Sequence, residues 1–228
     1  HSFRDSIYLR LYKQLMAHSW LLVLLTASSP YYDASLDKDG ESGIIMSEYS
    51  SMRNSRRGYW NKFPPILDHR SLKTFTGSIK KHIVTGSLYS ASELYLPIRL
   101  KPKGVNSLEN LASNGVDHIE LRMFDINPSA PYGIDRRDLE FAHLLMLYLL
   151  SQPDFELTPE LQEKAVRDHK DAALLEADTK LLERGIVIIE EMEDHFSDNE
   201  NAHEIIAFEK NKLTSNACFS KSIMNCTL

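Results

Sequence analysis

The chain has 228 residues, 43% hydrophobic and 25% charged, an ordinary globular composition that suffices for one large domain or two small ones. With 26 Lys and Arg against 32 Asp and Glu its formal charge is −6, which excludes a generally basic surface of the kind that holds nucleic acid by neutralising phosphates. The longest apolar run, Trp20 to Leu25, is far short of the roughly 20 residues that cross a bilayer. Two cysteines, Cys218 and Cys226, build no disulfide framework and fit a reducing compartment, the cytoplasm.

Residues 3–26 place Phe3, Ile7, Leu11 and Leu15 at helical spacing ahead of a dense apolar run to Leu25. The pattern predicts a helix whose second half is buried on most sides. Arg4, Asp5, Arg10 and Lys13 are spread along it, unlike the short basic segment and apolar core of a signal peptide. Periodicity is lost over 27–58, where Ser, Asp, Gly and Tyr collect, so a long loop is expected. A short helix and a strand or hairpin are expected within 65–92. Glu93 to Lys101 then alternates, with Leu94, Leu96, Ile98 and Leu100 on one face and Glu93, Tyr95, Arg99 and Lys101 on the other. Pro97 cannot donate to a ladder, which places it at an edge or bulge. In a second alternating segment Ile119, Leu121 and Met123 face a core, and His118, Glu120, Arg122 and Phe124 face away. After a turn from Asn127 to Gly133, Asp135 or Asp138 can cap a buried helix over about 139–150. Thr158-Pro159-Glu160 reads as an N-cap with proline at the first helical position, opening a charged helix to about Leu182. Further helices are expected at about 186–196 and 202–213, and a disordered Ser/Asn-rich tail over 214–228.

Ser51 to Asn61 gathers Arg53, Arg56, Arg57, Tyr59 and Trp60 in an otherwise acidic chain. Guanidinium forks match carboxylates and phosphates bidentately, and the aromatics can wall a small pocket. A solvated basic loop and a single-strand nucleic-acid site built on stacking are the competing readings. Glu120 and Arg122 leave one strand face roughly 7 Å apart. Such a carboxylate could hold a hard divalent cation and such a guanidinium neutralise a phosphoryl group, against an idle ion pair on a wet face. His118 and Phe124 on the same face point to partial cover. If the two strands pair with matching faces, Tyr95, Arg99 and Lys101 join Glu120 and Arg122 on the floor of one cleft. Asp168-His169-Lys170-Asp171 and the acidic residues from Glu190 to Glu200 read as solvated helix faces. No P-loop or Rossmann glycine pattern occurs.

Three stretches together resemble the bacterial glutamate–cysteine ligase (gamma-glutamylcysteine synthetase) family, including the ligase half of bifunctional glutathione synthases. They are Ser51 to Asn61, Glu93 to Arg99, and Gly115 to Pro128, where Glu120-Leu121-Arg122 precedes Asp125-Ile126-Asn127-Pro128 and then Gly133-Ile134-Asp135. Ala27-Ser28-Ser29-Pro30 and the helix at 139–150 fit as well, so the resemblance covers most of 1–165. It implies an α+β fold, an antiparallel sheet forming part of a glutamine-synthetase-like funnel packed by helices, with a helical C-terminal third. The implied activity is ATP- and Mg²⁺-dependent (alternatively Mn²⁺-dependent) ligation of L-glutamate, through an acyl phosphate on its side-chain carboxylate, to the amine of L-cysteine. This is the first step of glutathione biosynthesis, with neither nucleic acid nor membrane as a partner. Carried over residue by residue, Glu120 resembles a Mg²⁺ ligand and Arg122 the group that binds and stabilises the nucleotide's transferring phosphoryl. Arg53 resembles the receiver of the glutamate carboxylate, and Tyr59 and Tyr95 resemble walls of the cysteine pocket. Family members carry further metal ligands ahead of the segment matching His1-Ser2-Phe3. Residues 1–213 are therefore expected to be the C-terminal portion of a catalytic domain, its site completed by a missing N-terminal half or a second chain. A non-catalytic anion- or nucleic-acid-binding module on the Arg53–Arg57 loop, and an inactive remnant, are the rival readings.

Overall fold

The computed structural model describes residues 2–37, 40–215 and 219–226; Cys218 and the last two residues of the expected tail lie outside them. Among the described residues the fold is α+β, eight helices with two two-stranded antiparallel sheets. The chain falls into two compact units, one of His1–His18, Tyr59–Arg122 and Leu149–Val166, the other of Ser19–Gly58, Met123–Tyr148 and Arg167–Leu228. No described helix is long and apolar enough to cross a membrane.

The first unit is built on the opening turns of α1 (Ser2–Thr26), whose Leu9, Tyr12 and Leu15 are buried. Tyr12 meets Phe75 of α2 (Leu72–Val84) edge-on at 5.3 Å between centroids. That helix starts at Ser71 because a reciprocal capping box forms, Ser71 accepting from the Thr74 amide and Thr74 accepting from the Ser71 amide. No strand follows within 85–92; a 3₁₀ turn at Ala91–Glu93 stands near its end. The strand expected from Glu93 begins only at β3 (Ile98–Lys101). Pro97 brings no amide to the ladder, and the residues before it are held by side chains instead. After α3 (Leu108–Asn114), β4 (His118–Leu121) pairs antiparallel with β3 in the register Ile98↔Leu121, Arg99↔Glu120, Leu100↔Ile119 and Lys101↔His118. Gly115 lets the chain turn between them at φ +79, and any Cβ there would lie 2.6 Å from the Asp5 carboxylate. That carboxylate in turn accepts the Val116 amide at 2.8 Å.

The second unit packs the end of α1 against α4 (Arg136–Ser151), α6 (Thr179–His195) and α7 (Glu200–Thr214), with Trp20, Leu21, Phe141, Leu145, Ile189 and Ile206 fully buried. Gly185 is the close contact of this core: a Cβ there would lie 3.0 Å from Leu213 and 3.3 Å from Leu21. The long segment 27–58 carries a short pair, β1 (Tyr31–Asp33) and β2 (Ile44–Met46). The charged helix expected to reach Leu182 stops earlier: α5 is Pro159–Ala172. The reason is tertiary, since Ala173 and Leu175 leave the helix to pair with the 48–50 backbone, Ser50 N to Ala173 O at 2.8 Å and Leu175 N to Glu48 O at 2.9 Å. Asp178 then caps α6. In the stretch read as a tail, α8 (Phe219–Cys226) forms, with Ser220 buried and the Phe219 ring 4.3 Å from Lys212 Nζ.

Candidate active site

The β3–β4 register puts Arg99, Lys101 and Glu120 on one face of the first unit, and Arg122 extends it, its amide bonded to the Pro97 carbonyl at 2.9 Å. The opposite face buries Ile98 and Leu100, as the alternation requires. Glu120 lies 2.9 Å from Lys101 Nζ and 3.4 Å from Arg122 Nε. Burial pushes its carboxyl up, but Lys101, Arg122 and Arg99 outweigh that and hold it below the ordinary value. Arg99 is the mirror case: burial, and then Arg122 beside it, make its charge costly and lower its pKa. Three cations face one carboxylate, so an added anion would relieve the repulsion between Arg99 and Arg122. His118 remains exposed and pairs with Asp117 at 3.0 Å.

One end of this face is clamped by two side chains. Asn61 accepts the Tyr95 amide at 2.9 Å and donates to the Glu93 carbonyl at 2.7 Å. Arg99 donates to the Ser92 and Leu94 carbonyls at 2.6 and 2.9 Å. Tyr95 is thereby fixed, 6.2 Å between ring centroids from Tyr59, which is itself 82% exposed. Asn61 was part of the sequence motif but had no assigned role; its signal is an amide side chain two residues from Tyr59.

Arg53 belongs to the second unit, in a loop tied down from below. Asp125 is buried and accepts from the Ser28 amide at 3.0 Å, Ser29 Oγ at 2.8 Å and Ser51 Oγ at 3.0 Å. Burial pushes its pKa up against those bonds. The motifs at 27–30, 51–54 and 125–128 thus meet at one carboxylate. Asn54 donates to Ser51 Oγ and to the Met123 carbonyl, both at 2.8 Å, and its Oδ1 lies 3.0 Å from His169 Nε2. His169, expected on a solvated face, is instead fully buried. Desolvation, reinforced by Lys170, pushes its pKa down to about 3. Asp168 and Asp171 around it are engaged by Arg184 and Arg56. Arg57 pairs with Asp37 and lies over the Tyr32 ring. Of the three loop arginines, Arg53 alone makes no salt bridge among the described residues.

A divalent cation needs several oxygen ligands. Glu120 is a single carboxylate already facing Lys101 and Arg122, and no group of three or more His, Cys, Asp or Glu among the described residues could hold a metal ion. These residues by themselves do not fit a resident Mg²⁺; they offer a cationic floor.

A model of the glutamate–cysteine ligase family matches residues 1–172. The chain belongs to the glutamate–cysteine ligase family. It is 36% identical over 181 residues to the glutathione biosynthesis bifunctional protein GshAB of Listeria monocytogenes, a match covering 75% of this chain and 23% of that protein. With the protein of the same name from Clostridium perfringens it shares 31% over 228 residues, covering 90% and 29%. This ligase-family chain therefore spans about a quarter of the length of those relatives. Its fold resembles the glutamate–cysteine ligase of Francisella tularensis in complex with AMP, with a TM-score of 0.83 at 15% identity over 97% of this chain and 54% of that one. It also resembles a bifunctional glutathione synthetase from Pasteurella multocida, with a TM-score of 0.77 at 23% identity over 93% and 28%.

Proposed function

We propose that this chain is the portion of a glutamate–cysteine ligase that supplies the phosphoryl-stabilising and carboxylate-receiving arginines of ATP-dependent amide formation. The observation that carries the reading is the Arg99, Lys101 and Arg122 cluster around Glu120 on one sheet face. A side-chain carboxylate oxygen of glutamate attacks the γ-phosphorus of ATP and ADP leaves. The cysteine amine then attacks the acyl phosphate carbonyl, loses a proton and expels phosphate. Neither step needs covalent help from the protein; both need charge stabilisation and positioning. Arg122 is the group assigned to the transferring phosphoryl, because a fixed guanidinium matches its oxygens and needs no reorganisation. Lys101 keeps Glu120 ionised and aligned. Arg53 is assigned to the glutamate carboxylate, and Tyr59 and Tyr95 to the cysteine side. Mg²⁺, which the family's chemistry would place with the phosphates, needs ligands beyond Glu120. The reaction's substrates are soluble metabolites, which fits a cytoplasmic enzyme.

The rival nucleic-acid loop is disfavoured by the ion pairs of Arg56 and Arg57, which leave one uncommitted guanidinium where such binding uses several. Titration of the chain with ATP, followed on the side-chain NMR resonances of Arg99 and Arg122, should give saturable shifts that Arg122→Ala weakens. Resonances that stay still while ATP binds elsewhere would refute the assignment.

A further inference from the structure

We propose that His169 is a positioning residue for Arg53, acting through Asn54; the inference rests on reading Arg53 as the receiver of the glutamate carboxylate. Arg53 is exposed, so what its surroundings can hold is the backbone that carries it. Ser51 and Asn54 on either side are buried, and Gly58 packs so tightly on the Arg53 carbonyl that a Cβ would lie 1.9 Å from the oxygen. Asn54 gives its amide hydrogens to Ser51 Oγ and the Met123 carbonyl. Its Oδ1 is therefore the acceptor, and His169 must carry its proton on Nε2. Nδ1 is then the ring's acceptor, 2.8 Å from Ser19 Oγ. One continuous donor chain results: Ser19 to His169, His169 to Asn54, Asn54 to Ser51, and Ser51 to Asp125. A neutral imidazole suits its middle because one ring nitrogen donates while the other accepts. An apolar residue there would take from Asn54 Oδ1 the donor that His169 supplies.

The test is glutamate affinity of the folded chain, by calorimetry well below the melting temperature. His169→Leu should weaken binding about tenfold, the equivalent of one lost buried hydrogen bond. His169→Gln, whose amide can donate to Asn54 and accept from Ser19, should restore most of it. A purely structural histidine would lower the melting temperature and leave the affinity of the folded protein unchanged, and that result overturns the proposal. The wild-type chain supplies a second check that no unfolding can spoil: imidazole ¹⁵N shifts must show a neutral ring protonated on Nε2, and protonation on Nδ1 overturns the proposal as well. Absence of glutamate binding by the wild type would count against the role of Arg53. Amide exchange over 51–55 would then decide the positioning claim, faster in His169→Leu and restored in His169→Gln if it is right, unchanged if it is wrong.

Discussion

At the scale of single residues, the most demanding environment belongs to Lys212. Its ammonium is buried at the end of α1, 3.2 Å from the Leu25 carbonyl, 2.6 Å from Asp138 and 2.7 Å from Glu209. It supplies the cation that the last turn of α1 lacks in its own sequence. One ammonium cannot neutralise two buried carboxylates, so one of them keeps a proton. Desolvation is the main cause, and it pushes Glu209 up to about 8 from an ordinary 4.5. The native state then binds a proton that the unfolded chain releases at the ordinary value. That stabilisation is complete below pH 4.5 and is lost as pH rises through about 8. Thermal melts should therefore show stability falling from about pH 4.5 to about 8, by up to about 1.4 kcal/mol per unit, and levelling off above that. Glu209→Gln, which keeps a hydrogen-bonding donor without the titration, should flatten that slope. An unchanged slope in the variant would place the titrating group elsewhere. None of this was legible in the sequence, which does not say what packs against Glu209 and Lys212. Glu120 and Arg122 could be read because strand alternation fixes which side chains share a face. His169 could not, because a single histidine among charged residues looks the same buried or solvated until the elements packed on it are known.

At the scale of elements, the Arg53 loop shows how backbone contact rather than helix or strand propensity makes a rigid presentation. Gly58 has no room for a side chain against the Arg53 carbonyl. Gly58→Ala is expected to cost about 2 kcal/mol, lowering the melting temperature by roughly 4–8 °C in a chain of this size, and to weaken glutamate binding because the displaced atom is the Arg53 backbone. A variant as stable as wild type would show that the loop yields easily and is not preorganised. The boundaries that sequence periodicity misplaced share one cause. β3 starts late because Asn61 and Arg99 capture the backbone of 92–95, and α5 ends early because 173–175 pair with 48–50. In each case bonds from outside the element, to Asn61 for the first and to 48–50 for the second, overrode a local pattern. Which faces of β3 and β4 match could be read from alternation, since a slip by one residue would turn the charged stripe into the core; the register itself could not, because a slip by two keeps the faces.

At the scale of the whole molecule, the family match over residues 1–172 and the coverage of about a quarter of the relatives' length agree with what the site contains. The β3–β4 face gathers Arg99, Lys101 and Arg122 around a single carboxylate, where a metal would need several. The motifs that carried the resemblance divide into two kinds once placed. Some place charged side chains on a sheet face or loop, as Glu120, Arg122 and Arg53 do. Others, Asp125, Ser51 and Asn54, tie down the loop that carries Arg53. The most direct test is ADP release in an active assembly containing this chain, supplemented with the preceding segment of a relative if the chain alone is silent, with each amino acid omitted in turn. Release that requires both glutamate and cysteine, and that falls by about 10²-fold or more in Arg122→Ala, is the expected result. Release that is indifferent to either amino acid, or untouched by Arg122→Ala, would contradict the account.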